Sequence, residues 1–265
     1  MTETLKIVLL AIVQGITEFL PVSSSGHLNL LQLGLGVEHD HLFINLVLHS
    51  GTLVAIIVCY RREITALMQP KNRHMVGLIF IGTLPLAFPG VLLRSWVKEI
   101  YQNPWLTGGG LIITGIVLLF VHRPTTDTAN AATEKSITWR TAICIGLMQC
   151  LAMVPGISRS GATIAIATRL GIDAASAAKF SFLLAIPAIA SAELVELISL
   201  HSQADAATIS VPLEVLAIGF IVAMVVGYLS LSFLLHILRR GKLSHFGYYC
   251  LAAGAAVLIR QLVNN

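Results

Sequence analysis

The chain is 265 residues long, 56% hydrophobic and only 11% charged, with a formal net charge of +4 and a mean hydropathy of +0.84. That composition excludes a water-soluble domain, which needs more charge to cover its surface, and indicates an integral membrane protein. The basic residues sit in short loops between apolar runs and form no aromatic-and-basic patch, so nucleic acid is excluded as a partner.

In chain order, the first apolar run, Leu5 to Val13, has the look of a signal peptide. No small-x-small cleavage site precedes the polar motif that follows it from Gln14, so the run is expected to be retained. Runs long enough to cross a hydrocarbon core of about 30 Å lie near 43–60, 75–93, 106–122, 179–199, 213–237 and 246–263, which predicts six transmembrane helices. The segments Leu5–Leu20 with Leu28–Gly36, and Thr141–Val154 with Ala162–Leu170, are too short or too interrupted to span alone. Joined in pairs by Pro/Ser/Gly turns, they read as two re-entrant hairpins, whose irregular backbone needs protein or water around it at membrane depth. The four cysteines, Cys59, Cys144, Cys150 and Cys250, lie inside apolar segments without metal-ligand or disulfide spacing and read as packing residues.

The two turns answer each other. QGITEFLPVSSSGH runs from Gln14 to His27, and QCLAMVPGISRSGAT from Gln149 to Thr163. Ser23, Ser25 and Gly26 recur 135 positions later as Ser158, Ser160 and Gly161, while Pro21 and Pro155 are one residue out of step. A re-entrant hairpin returns to its own side and three crossings follow, so the second hairpin is expected to enter from the opposite face. The expectation is an all-α inverted-topology repeat whose broken helices meet near the midplane. It forms a single polytopic domain over residues 1–265, with halves at about 1–123 and 139–265 and a flexible polar linker at about 124–138. One face carries Arg61, Arg62, Lys71, Arg73, Arg123, Lys135, Arg140, Arg169, Lys179, Arg239, Arg240 and Lys242; the other carries Lys6, Arg94, Lys98 and Arg260. The positive-inside rule makes the first face cytoplasmic and places both termini outside.

The chemistry gathers at the turns. Gln14 and Glu18 are four apart and share a helix face that leads to His27. A carboxylate within an apolar segment is expensive to bury and marks a functional site, or else a charge paired at a water-filled mouth. Ser23, Ser24 and Ser25 suit either helix capping or, beside free N–H groups and a histidine able to act as base, acid or nucleophile, the binding of an anion. Arg159 wants a fixed anion, with a phosphate and a structural ion pair to Glu18 as the two readings. Thr163 adds a hydroxyl one turn on. His39 and His41, His49 with Ser50 and Thr52, and Glu193 with Glu196 are weaker candidates, left outside the assigned site.

The EFLPVSSSGH and PGISRSGAT runs, with KFSFLLAIPA at Lys179 to Ala188, resemble the signatures of the undecaprenyl-diphosphate phosphatases, bacterial membrane enzymes linked to bacitracin resistance. The resemblance covers essentially the whole chain. It implies hydrolysis of the lipid diphosphate to the monophosphate and inorganic phosphate, recycling the carrier for cell-wall assembly. It carries over Glu18, Ser24, His27, Ser158, Arg159, Ser160 and Thr163 as site residues; with Ser23 and Ser25 added from their place in the first turn, Glu18, Ser24, His27 and Arg159 are expected to be catalytic and Ser23, Ser25, Ser158, Arg159, Ser160 and Thr163 to bind phosphate. It also implies a divalent cation, Mg²⁺ or Ca²⁺, with Glu18 and Gln14 as candidate ligands. Gln14 stands where the family takes either Gln or Glu, which leaves Glu18 the only carboxylate there. Either Ser24, with His27 or Glu18 as base, or His27 itself is the expected nucleophile. The expected setting is the bacterial inner membrane with the site facing the periplasm or exterior. The expected partners are the prenyl diphosphate, membrane lipids and, as an open option, a second copy in a homodimer. A transporter or flippase for a phosphorylated lipid is the alternative reading, since inverted repeats with broken helices also build carriers.

Overall fold

The structure is a computed structural model and describes residues 1–37, 41–92, 99–101, 103–121, 136–202, 211–238 and 243–264. The described residues form helices and no strand. The first hairpin is α1 (Glu3–Phe19) and α2 (Ser24–Leu35), followed by α3 (His41–Cys59), α4 (Arg61–Leu67), a 3₁₀ turn at Pro70–Asn72, α5 (Arg73–Leu92) and α6 (Pro104–Leu119). The second hairpin is α7 (Trp139–Leu151) and α8 (Arg159–Arg169), followed by α9 (Ala174–Ser202), α10 (Leu213–Leu238) and α11 (Ser244–Asn264).

Each hairpin helix has a local reason to begin. Thr2 caps α1 by accepting from Leu5 N–H at 3.4 Å, and Thr138 caps α7 in a reciprocal capping box with Thr141. At 1.5 Å per residue, the 17, 12, 13 and 11 residues of α1, α2, α7 and α8 extend about 26, 18, 20 and 17 Å, all short of a bilayer core. Among the described residues, four helices are long and apolar enough to cross a membrane: Leu42–Cys59 in α3, Ala174–Ile198 in α9, Leu213–Leu238 in α10 and Ser244–Val263 in α11. Of the other two expected crossings, 75–93 falls on the 20-residue α5, and 106–122 on α6, whose 16 residues fall short of the usual spanning length. The stretch after α3, expected as a loop, instead folds into α4, because Ile64 and Leu67 pack against the central core. The linker expected at 124–138 lies outside the described residues up to 135, as do His39, Arg94 and Lys98.

The packing is symmetric on exchange of the halves. Helix α1 lies on α10 as α7 lies on α5, and α3 lies on α10 as α9 lies on α5; α3 meets α9, and α6 meets α11. The α6–α11 contact is close because small residues face backbone: a Cβ on Gly254 would stand 2.8 Å from Gly108 O, and one on Gly247 3.0 Å from Gly115 O. Close backbone approach through small residues is how helices associate in lipid. The central core joins Phe19, Tyr60, Phe180, Phe182, Leu231 and Leu234, with Phe19 edge-on to Phe182 at 5.8 Å between centroids. Outer faces stay apolar and exposed, as at Phe80 and Leu84 of α5 and Ile221, Leu229 and Phe233 of α10, which is stable against lipid and not against water.

Candidate active site

The two turns repeat in hydrogen bonds what they repeat in sequence. In the first, Pro21 follows the helix end and Ser23 takes φ 70°, ψ 95°, the only positive-φ non-glycine residue among those described. Such a conformation costs about 1–3 kcal/mol and persists only where its surroundings hold it. Ser23 Oγ accepts from Gly26 N–H at 3.3 Å and lies 3.3 Å from Ser25 Oγ. In the second turn, Ser158 Oγ accepts from Gly161 N–H at 3.1 Å and lies 3.2 Å from Ser160 Oγ.

The tips interlock through their closing glycines. A Cβ on Gly26 would stand 3.2 Å from the Cα of Gly156, and one on Gly161 would stand 3.3 Å from the Cβ of Pro21. Ser160 Oγ donates to Leu20 O at 3.4 Å. Thr114 of α6 fixes the second turn by donating to Gly156 O and accepting from Ser158 N–H, both at 2.9 Å.

This contact delivers both turns to Glu18, whose side chain is 5% exposed. Its Oε1 accepts from Arg159 Nη2 at 2.6 Å. Its Oε2 accepts from Ser24 Oγ at 2.6 Å and from Gln14 Nε2 at 3.1 Å, with His49 Nε2 at 3.7 Å. Ser24 and Arg159 occupy equivalent places 135 positions apart, so each half contributes the same position to one carboxylate. The ion pair anticipated between Glu18 and Arg159 therefore exists, and it uses only part of the guanidinium. Arg159 Nη1 has no hydrogen-bond partner among the described residues.

A cavity of about 310 Å³ opens beside this cluster. Glu18, Ser23, Ser24, Ser25, Ser158 and Arg159 line it, and Leu42, Leu46, Leu86 and Ile189 give it an apolar wall. Four assigned residues stand outside that lining. Gln14 is fully buried and orients Glu18. Ser160 ties the turns together, and Thr163, 1% exposed, bonds to Arg159 O at 2.7 Å and Ser181 Oγ at 2.6 Å. His27 faces the other way: Nδ1 is 2.8 Å from Ser23 O and Nε2 is 2.7 Å from Tyr249 OH.

Residues not assigned from the sequence line the cavity in their stead. His49, Glu193 and Glu196 are among them, as are Asn45 and Tyr101. Asn45 had a findable signal, since it lies one helical turn before His49 on the same face and its carbonyl takes His49 Nδ1 at 2.8 Å. Tyr101 had none; only the fold brings it there.

The divalent cation implied by the resemblance is judged by donor chemistry. Among the described residues no three or more His, Cys, Asp or Glu side chains converge on one point. Gln14 turns its Nε2–H toward Glu18, and both carboxylate oxygens already accept from donors. As arranged, the Glu18 oxygens are taken up by donors and do not fit a resident Mg²⁺ or Ca²⁺, which takes several converging oxygen ligands.

Fold and site together define a class: multi-pass helical membrane proteins that gather a carboxylate, hydroxyls and a guanidinium where helices are broken by tight turns. Within that class, the chain belongs to the bacitracin resistance protein BacA family, whose model matches residues 7–256. It is 40% identical over 262 residues to the undecaprenyl-diphosphatase of Rhodopirellula baltica, covering 99% of this chain and 100% of that one. It is 39% identical over 259 residues to the undecaprenyl-diphosphatase of Carboxydothermus hydrogenoformans, covering 98% of both chains. The undecaprenyl-diphosphatase of Methanosphaera stadtmanae is 35% identical over 285 residues, covering 99% of this chain and 100% of that one.

Proposed function

We propose that this protein is an undecaprenyl-diphosphate phosphatase of the bacterial inner membrane, recycling the lipid carrier for peptidoglycan synthesis and thereby conferring bacitracin resistance. The observation that carries the reading is the Glu18 carboxylate held between Ser24 of one turn and Arg159 of the other, at 2.6 Å from each, beside one cavity. The cavity's two walls match an amphipathic substrate. A diphosphate suits the hydroxyls and the Arg159 side chain that line it, and the first part of a prenyl chain suits Leu42, Leu46, Leu86 and Ile189.

In the mechanism we derive, Ser24 Oγ attacks the terminal phosphorus and passes its proton to Glu18 Oε2. The bond from that phosphorus to the bridging oxygen breaks, and the prenyl monophosphate leaves with the oxygen. Arg159 and the hydroxyls of Ser23, Ser25 and Ser158 stabilise charge on the transferred group. Water then attacks the phosphoserine, Ser24 Oγ recovers its proton from Glu18, and inorganic phosphate departs. Of the two bases open to Ser24, Glu18 is favoured because it already accepts the hydroxyl hydrogen bond, whereas His27 has both ring nitrogens engaged elsewhere.

Two hairpins entering from opposite faces, with six crossings around them, supply the topology, and the positive-inside rule turns the cavity to the periplasmic side. The deciding experiment is phosphate release from undecaprenyl diphosphate by purified protein in detergent, beside Ser24→Ala and Arg159→Ala. Release by wild type, with a phosphoserine trapped at Ser24 on rapid quenching, is expected. Binding without hydrolysis would instead favour a carrier.

A further inference from the structure

Ser23 holds a conformation that its own backbone disfavours, and one side chain sits on its carbonyl. The Ser23 C=O accepts from His27 N–H at 3.2 Å and from His27 Nδ1 at 2.8 Å, so both its lone pairs are used by one residue. Because a carbonyl only accepts, Nδ1 carries the proton. Nε2 then meets the Tyr249 hydroxyl at 2.7 Å, and the two rings stack at 5.6 Å with 15° between their planes. In either charge state of the imidazole both nitrogens are occupied, and the ring is not among the groups lining the cavity.

Resting on the phosphatase reading, we propose that Tyr249 and His27 form a positioning clamp. Tyr249, on α11, orients the His27 ring; the ring holds the Ser23 carbonyl; and the Ser23 backbone aims the next residue, Ser24, at Glu18. His27 thus acts through the turn and neither receives the phosphoryl group nor takes the serine proton. The chemistry-bearing turn is coupled in this way to the C-terminal helix 222 positions away.

Isosteres separate the roles. Asn places its Nδ2–H where His27 has Nδ1–H but supplies no base and no nucleophile, while Gln places its amide nitrogen nearer the Nε2 position. Phosphate release from undecaprenyl diphosphate is measured for wild type, His27→Asn, His27→Gln, His27→Ala and Tyr249→Phe. His27→Asn is expected to keep kcat within about tenfold of wild type, and His27→Gln and His27→Ala to lose about a hundredfold, as misplaced nucleophiles do. KM is expected to stay unchanged throughout. Tyr249→Phe, which keeps the ring stack, is expected to lower kcat about tenfold in wild type and not at all in the His27→Asn background. A His27→Asn protein as inactive as His27→Ala, a phosphohistidine trapped at His27, or a fully active Tyr249→Phe would each overturn the clamp. Wild type that releases no phosphate overturns the phosphatase reading and the clamp with it, so the two failures are distinguishable.

Discussion

The Glu18 carboxylate accepts from three side chains, one of them 141 positions away. With the Glu18 side chain only 5% exposed, those bonds fix its orientation and leave little room for rearrangement on binding. Arg159 divides its guanidinium between Glu18 and an unpartnered Nη1. Lysine keeps the charge but offers one compact donor group, which cannot hold the carboxylate and a phosphate oxygen in fixed directions at once. Arg159→Lys is therefore expected to lower kcat by about 10²-fold or more, with the folded protein retained; near-normal phosphate release would remove the phosphate-binding role of Arg159. Serine, carboxylate and arginine were legible as residues because polar groups in apolar segments are costly. The histidine was legible as chemistry but not as direction: His27 and His49 look alike in sequence, and helix rotation alone turns one toward Tyr249 and the other toward the cavity.

The two turns carry the same serine cap yet reach it by different routes. Four residues separate α1 from α2, and seven separate α7 from α8. The longer turn needs Gly156 at φ 89°, and a Cβ there would run into the Thr107 carbonyl and, at 2.7 Å, Leu111 N. Gly156→Ala combines a strained dihedral with backbone overlap and is expected to abolish folded, monodisperse protein on gel filtration in detergent. Gly34→Ala, in open space within α2, is expected to be neutral or to stabilise by up to about 1 kcal/mol. The halves also differ in chemistry. Gln149 matches Gln14, but Met153 stands 135 positions after Glu18, and the Gln149 amide, 2% exposed, has neither atom bonded among the described residues. Replacing that orphaned amide with a hydrocarbon of similar size removes a desolvation cost of about 1–3 kcal/mol. Gln149→Leu is expected to raise the thermal unfolding midpoint, whereas Gln14→Leu, which strips Glu18 of a donor, is expected to lower it.

At the scale of the molecule, exchange-symmetric packing of the helices is what lets two turns meet, because each hairpin is braced by a long helix of the other half. The proposed topology puts Thr2 outside and Lys71 inside. With Cys59, Cys144, Cys150 and Cys250, all free thiols, replaced by alanine, a membrane-impermeant maleimide is expected to label Thr2→Cys in intact cells and Lys71→Cys only after permeabilisation. Equal labelling of both in intact cells would refute the crossing by α3 that the proposed topology requires.

The sequence by itself determined the membrane class, the apolar helical segments other than α4, the breaks between them and the serine pattern the two turns share, since hydropathy, proline and serine capping act over a few residues. It also marked Glu18 and Arg159, because an ionisable group among apolar neighbours is conspicuous without a fold. Only the tertiary structure decided that these two share one carboxylate–guanidinium contact, that Ser160 and Thr163 brace the turns, that Tyr101 and Asn45 join the cavity, and that His27 answers to Tyr249. Those facts depend on how helices far apart in the chain rotate and pack, and the local energetics that write helices and turns into a sequence do not encode that rotation.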